Sequence, residues 1–202
     1  MYVFNLYSIV SIRGIIMAYP NPSSFIPMVI GTTDGPALTA AAAASCIPTA
    51  NKITLPNNYW TIGKQWRVLI QGRISCAVTT PGTARFDIRS TSALIYDTGA
   101  MNLNVVAKTN VPFQLEINLV CRAVGTGTTT TLFGIGEFTS EAVILSPLPT
   151  VGSNGTLLVP TTAPAVGAGT DNTAANTIDV FFTQTVATGS MTVHNYSIWE
   201  SI

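Results

Sequence analysis

Residues 113–122 read Phe113-Gln114-Leu115-Glu116-Ile117-Asn118-Leu119-Val120-Cys121-Arg122. Phe113, Leu115, Ile117, Leu119 and Cys121 alternate with Gln114, Glu116, Asn118 and Arg122. Side chains along a β-strand point to opposite faces in turn, so this spacing gathers the apolar groups on one face and the polar groups on the other. Such a segment is a half-buried strand of an antiparallel sheet, with one side on a core and the other toward water.

The same alternation recurs on both sides of this segment. Trp66, Val68, Ile70 and Ile74 share a phase opposed to Arg67, Gln71 and Arg73, and Ala84, Phe86 and Ile88 alternate with Arg85, Asp87 and Arg89. Further strands are predicted at about 131–138, 141–145, 156–159, 177–186 and 191–199. Turn signals separate them: Thr80-Pro81-Gly82, Gly125-Thr126-Gly127, Ser153-Asn154-Gly155 and Thr188-Gly189-Ser190. Short strands divided by Gly and Pro turns, with no helices between them, predict an all-β, antiparallel, jelly-roll-like sandwich over residues 51–202. The Pro-, Ala-, Gly- and Thr-rich stretch near 160–176 is read as a long loop of the kind that packs on a partner.

The first 50 residues read differently. Asp34-Gly35-Pro36 introduces ALTAAAAASC, and Pro48 follows it. Asp as a cap, Pro in the first turn and the high helix propensity of Ala predict one short helix over 36–46, with a connector to residue 50. Pro20, Pro22, Pro27 and Pro36 make 19–36 an extended linker. Residues 1–18, MYVFNLYSIVSIRGIIMA, lack the basic start of a signal peptide, and Arg13 interrupts their apolar run. They are also short of the about 20 apolar residues that a membrane span needs. Residues 1–35 are therefore read as an extended N-terminal arm, with Tyr2, Phe4, Tyr7, Ile9, Ile12, Tyr19 and Phe25 as its partner-binding side chains. An alternative takes Met17 as the natural start, since MAYPNPSSFIP has the character of an ordinary N-terminus; the intact mass of the native protein decides between them.

Composition narrows the function classes. In 202 residues, 47% are hydrophobic and 9% are charged, with Lys plus Arg equal to Asp plus Glu; the usual charged share is about 25%. A neutral surface this poor in charge is a poor one for an isolated monomer, so an assembly component with covered surfaces is expected. The alternative is a Thr-, Ser- and Asn-rich surface that water tolerates. No basic stripe is present to follow a nucleic-acid backbone. Cys46, Cys76 and Cys121 form no CxxC and sit among apolar residues, which predicts buried thiols and folding in a reducing compartment.

Residues that could carry chemistry are few. His194 is the single histidine, lying in a strand-like run, and no GxSxG is present. No clustered spacing of metal ligands occurs. Glu137, Glu141 and Asp87 are read as surface carboxylates balanced by basic residues, not as a glycosidase pair. Gly134-Ile135-Gly136 lies inside a strand with no helix after it, so it marks a bulge or a close backbone approach and not a phosphate loop. The expectation is a protein that is not an enzyme and carries no cofactor or metal.

One resemblance adds to this reading. LPNNYWTIGKQWRVLIQGRIS (55–75) leads into the first long strand, and PGTARFDIR (81–89), GAMNLNVVAKTNVPFQLEINLVCRAVG (99–125) and VHNYSIWES (193–201) continue the pattern. Over roughly residues 37–200 the chain resembles small virion structural proteins of tailed bacteriophages, several of which are similar to jelly-roll cement or decoration proteins. The resemblance implies a homotrimer on the capsid surface, assembled in the host cytoplasm, with the major capsid protein and neighbouring copies as partners. It implies no catalytic residues, and the charge balance and the short apolar run at the N-terminus already predict no nucleic-acid or membrane partner. An alternative is a phage tail or fibre component binding host-surface glycans, with Trp60, Trp66 and Trp199 as candidate sugar platforms; another is a cellular trimeric jelly-roll domain.

Overall fold

The computed structural model describes residues 25–77, 80–91, 93–144 and 155–201. In chain order its strands are β1 Phe25–Ile30, β2 Ala44–Ser45, β3 Ile53–Leu55, β4 Gln65–Cys76, β5 Thr83–Ser90, β6 Ala93–Asp97, β7 Met101–Asn102, β8 Lys108–Ala123, β9 Thr130–Ser140, β10 Gly155–Val159, β11 Val166–Thr170, β12 Asn176–Gln184 and β13 Ser190–Ser201. They form two antiparallel sheets. The large sheet runs β1-β13-β4-β8-β9-β10, with β11 also paired to β9. The small sheet runs β2-β12-β5-β6, with β3 on β12 and β7 on β5.

This order is that of a jelly roll. The first strand lies beside the last, β2 and β3 lie beside the penultimate strand, and β4 and β5 return to flank the same two strands on their other sides. β9, β10 and β11 widen the large sheet beyond β8. The alternating phases quoted above face inward as predicted: Trp66, Val68, Ile70, Phe86, Ile88, Leu115, Ile117 and Leu119 are all buried. At one end of the core, Phe86 and Phe182 from the small sheet meet Phe113 and Phe138 from the large one, with centroid separations of 5.1 to 5.9 Å. At the other end, Trp60 and Trp66 pack 4.5 Å apart. The three cysteines are free and buried, and burial pushes their thiols up.

Several expectations are corrected. The helix over 36–46 does not form; the only helical element among the described residues is a 3-10 turn at Thr49–Asn51. An all-Ala run has no wide apolar stripe to bury, and a helix of this length is marginal without one. Ala40 to Ala43 lie exposed. The flanking backbone pairs with the sandwich instead. Gly35 donates to Val193 (2.8 Å), Leu38 and Met191 exchange two bonds of 2.9 Å, and Cys46 donates to Val180 (2.8 Å). The segment thus crosses from the large sheet to the small one.

The arm boundary also moves. Phe25–Ile30 is a strand of the large sheet, so the sandwich includes residues that the sequence assigns to the arm and is not confined to 51–202. The 141–145 strand is replaced by a turn at Glu141 and Ala142, with Val143 forming an isolated bridge to Leu103; Leu145 lies outside the described residues. The 160–176 stretch is not all loop, because it contains β11. The reading of Gly134 and Gly136 holds: a Cβ at Gly134 would sit 2.5 Å from the Tyr96 ring, and one at Gly136 would strike the Glu116 carbonyl.

Candidate functional site on the outer face of the large sheet

The two sheets treat their outer faces differently. On the small sheet, Asp87 is buried between Arg85 and Arg89, each at 2.8 Å, and Arg89 lies 4.1 Å over the Phe181 ring. Lys52 pairs with Asp179 at 2.6 Å. These ion pairs close that face. The outer face of the large sheet is covered by no other described segment and divides into a polar end and an apolar end.

The polar end is a single row set by strand register. Asn195 on β13 stands opposite Gln71 on β4, then Gln114 on β8, Thr139 on β9 and Thr156 on β10. Asn195 Nδ2 donates to Gln71 Oε1 (2.9 Å), and Gln71 Nε2 donates to Gln114 Oε1 (2.7 Å). Thr139 and Thr156 share a hydroxyl contact of 3.3 Å. Beside this row runs a groove of about 620 Å³, its floor formed along Gly72, Phe113, Ser140 and Gly155.

A β-bulge between Val193 and Asn195 pushes His194 out at one end of the groove, where Nδ1 lies 2.8 Å from Asp34 Oδ1. Gly72 permits this: a Cβ there would strike the Thr192 carbonyl and approach the Phe113 ring to 2.9 Å. At the other end Glu141 is held by Lys108 at 2.7 Å.

A bidentate pair, Arg67 to Glu116 at 2.8 and 2.9 Å, separates the two ends. Being exposed, it contributes at most about 1 kcal/mol. Beyond it lies the apolar end. Val120 stands opposite Phe133, which stands opposite Val166. Ile135, in the row of Arg67 and Asn118, and Leu158, in the row of Glu116 and Glu137, border it and are 45% and 73% exposed. Contiguous apolar surface of this kind on a folded domain marks a contact with another molecule.

Of the partner-binding residues read from the sequence, Phe25 is described: it opens β1 opposite Ser201, at the sheet edge, and is 37% exposed. Tyr2, Phe4, Tyr7, Ile9, Ile12 and Tyr19 lie outside the described residues. Trp60 and Trp66 are core residues, so neither is a sugar platform; Trp199 is half-buried on the outer face, with the Arg67 guanidinium 6.0 Å from its ring. Tyr59 ties β1 to the body: its hydroxyl donates to Glu200, lies 3.1 Å from Met28 Sδ and accepts from Trp66 Nε1 at 2.7 Å. Among the described residues no group of three or more His, Cys, Asp or Glu gathers as metal ligands. The polar row was missed from the sequence, since its members are single polar residues on five strands and only register unites them.

Fold and face together define a jelly-roll sandwich that presents one broad sheet surface. No family model matches the chain, and no curated protein matches it. Among solved structures, it is similar to the CBM2 module of the evolved Dit of Lactobacillus casei BL23 phage J-1. That likeness has 11% identity and a TM-score of 0.27, over 73% of this chain and 67% of that one. An overlap this shallow leaves the assignment of fold to the strand order itself.

Proposed function

We propose that this chain is a non-enzymatic structural protein of a tailed-bacteriophage virion, a capsid cement or decoration protein that assembles as a trimer and bridges neighbouring capsomers. The observation that carries the reading is the exposed apolar end of the large sheet, covered by no other described segment, on a sandwich from a chain with no net charge. Its resemblance in residue pattern to phage virion proteins supplies the viral context.

The mechanism is thermodynamic. A protein that binds the assembled shell, and not its separated subunits, stabilises the shell by mass action, by about 2.7 kcal/mol per site at a hundredfold excess over Kd. The sandwich supplies stiffness, and the apolar end of the large sheet supplies contact area. Sedimentation of the purified protein with phage heads lacking it tests this. Saturable co-sedimentation in multiples of three per capsid three-fold is expected. A protein that stays in the supernatant as a monomer overturns the proposal.

A further inference from the structure

We propose that the groove along the polar end of the large sheet is a binding site for an uncharged, hydroxyl-rich ligand: a neutral oligosaccharide lying across the strands. The donor and acceptor pattern is the first ground. The amides of Asn195, Gln71 and Gln114 are linked head to tail, so one end of the chain offers an acceptor and the other a donor; Gln114 Nε2 has no partner among the described residues. Reversing all three amides exchanges the ends and keeps the pattern. Thr139 and Thr156 continue the row with hydroxyls; that of Thr139 also lies 3.4 Å from Glu137 Oε1, to which it donates, and keeps acceptor capacity, while that of Thr156 both donates and accepts. A sugar hydroxyl likewise does both, and so meets every position of such a row.

Charge is the second ground. Glu141 is held by Lys108 and His194 by Asp34, so an ionic ligand finds no unpaired counter-charge in the lining. The floor is the third. From β13 to β9 its backbone groups belong to strands paired on both sides, so a peptide main chain crossing the face finds no ladder there; the outer side of β10 is the one strand side at this end without a described partner. A volume of about 620 Å³ lies in the range of small-molecule sites. Four strand intervals of about 4.8 Å give a length of roughly 19 Å, which suits a chain of sugars rather than one ring. The site is independent of where on a virion the protein sits.

The test is a titration of the full chain with cellohexaose, maltohexaose and chitohexaose as neutral probes, followed by calorimetry and backbone amide shifts. Polygalacturonate and a Ser-Asn-Thr repeat peptide are the anionic and peptide comparators. At least one hexaose is expected to bind and to shift Gln71, Gln114 and Thr139. Gln114→Ala should weaken it about tenfold, equivalent to about 1.4 kcal/mol, and Thr139→Trp should abolish it by filling the groove. Both variants should keep the wild-type melting temperature. A Val120→Lys, Val166→Asp variant, altered at the far side of the apolar end, should bind the sugar unchanged, which separates this site from the assembly reading. No binding by any of the three hexaoses, undiminished binding to Gln114→Ala and Thr139→Trp, or preference for either comparator would overturn the proposal.

Discussion

Placing Asp at position 135 and Lys at position 158 together should release the protein from phage heads while leaving it folded. Both side chains point away from the core, at 45% and 73% exposure, so neither change opens a cavity. Exposed substitutions of this kind usually shift stability by no more than about 0.5 kcal/mol each. Leu158 stands opposite Glu137, so a lysine there faces an opposite charge. The exchange also leaves the net charge at zero, so a loss of binding cannot be assigned to long-range repulsion.

In an interface the two ions must lose water. A lysine at 158 can pair with Glu137, so the unpaired charge is the one at 135; leaving it buried costs about 2 to 5 kcal/mol and lowers affinity by roughly thirtyfold to several thousandfold. Co-sedimentation should therefore fall to background at concentrations where the wild type saturates. Retention of wild-type occupancy would remove the apolar end of the sheet from the account.

The largest expected effect on stability belongs to Phe86→Ala. Phe86 is 1% exposed and is the one ring that touches Phe113, Phe138 and Phe182, at 5.5, 5.9 and 5.1 Å. Two of those partners come from the opposite sheet, so the ring joins the two layers. Truncation of a buried Phe costs about 3–5 kcal/mol, through lost transfer energy and the remaining cavity. For a chain of this length the melting temperature should fall by on the order of 10 °C. A calorimetric change below about 1 kcal/mol would show that the sheets are not held together at this point.

What could be read from the sequence tracked how local the determining interaction was. β4, β5 and β8 announce themselves, because a strand with one face on a core and one on water carries its register in its own alternation. β11 does not. Val166-Gly167-Ala168-Gly169-Thr170 has no apolar phase, and it pairs with β9 where Gly167 and Gly169 let its backbone approach the carbonyls of Ile95 and Leu94. β1 was hidden by Pro27, which a sheet interior excludes but an edge strand accepts beside a register shift.

The Ala-rich stretch failed in the opposite direction. Its intrinsic preference for helix was outweighed by backbone bonds to Val193, Met191 and Val180, all distant in sequence. The candidate site was the least legible feature for the same reason. Gln71 and Gln114 each fall on a predicted polar phase and Thr139 lies just past the predicted 131–138 strand, yet nothing local says that they stand in one line. The full row from Asn195 to Thr156 exists because four separate strand registers agree.

The most direct test of the central proposal is a cryo-electron microscopy reconstruction of the purified virion at a resolution that separates strands. The account predicts three copies around each capsid three-fold position. It places Ile135 and Leu158 of every copy against the major capsid protein or a neighbouring copy, and leaves the polar groove open to solvent. Density for this chain confined to the tail, or present on the head with the apolar end of the large sheet facing outward into water, would contradict it.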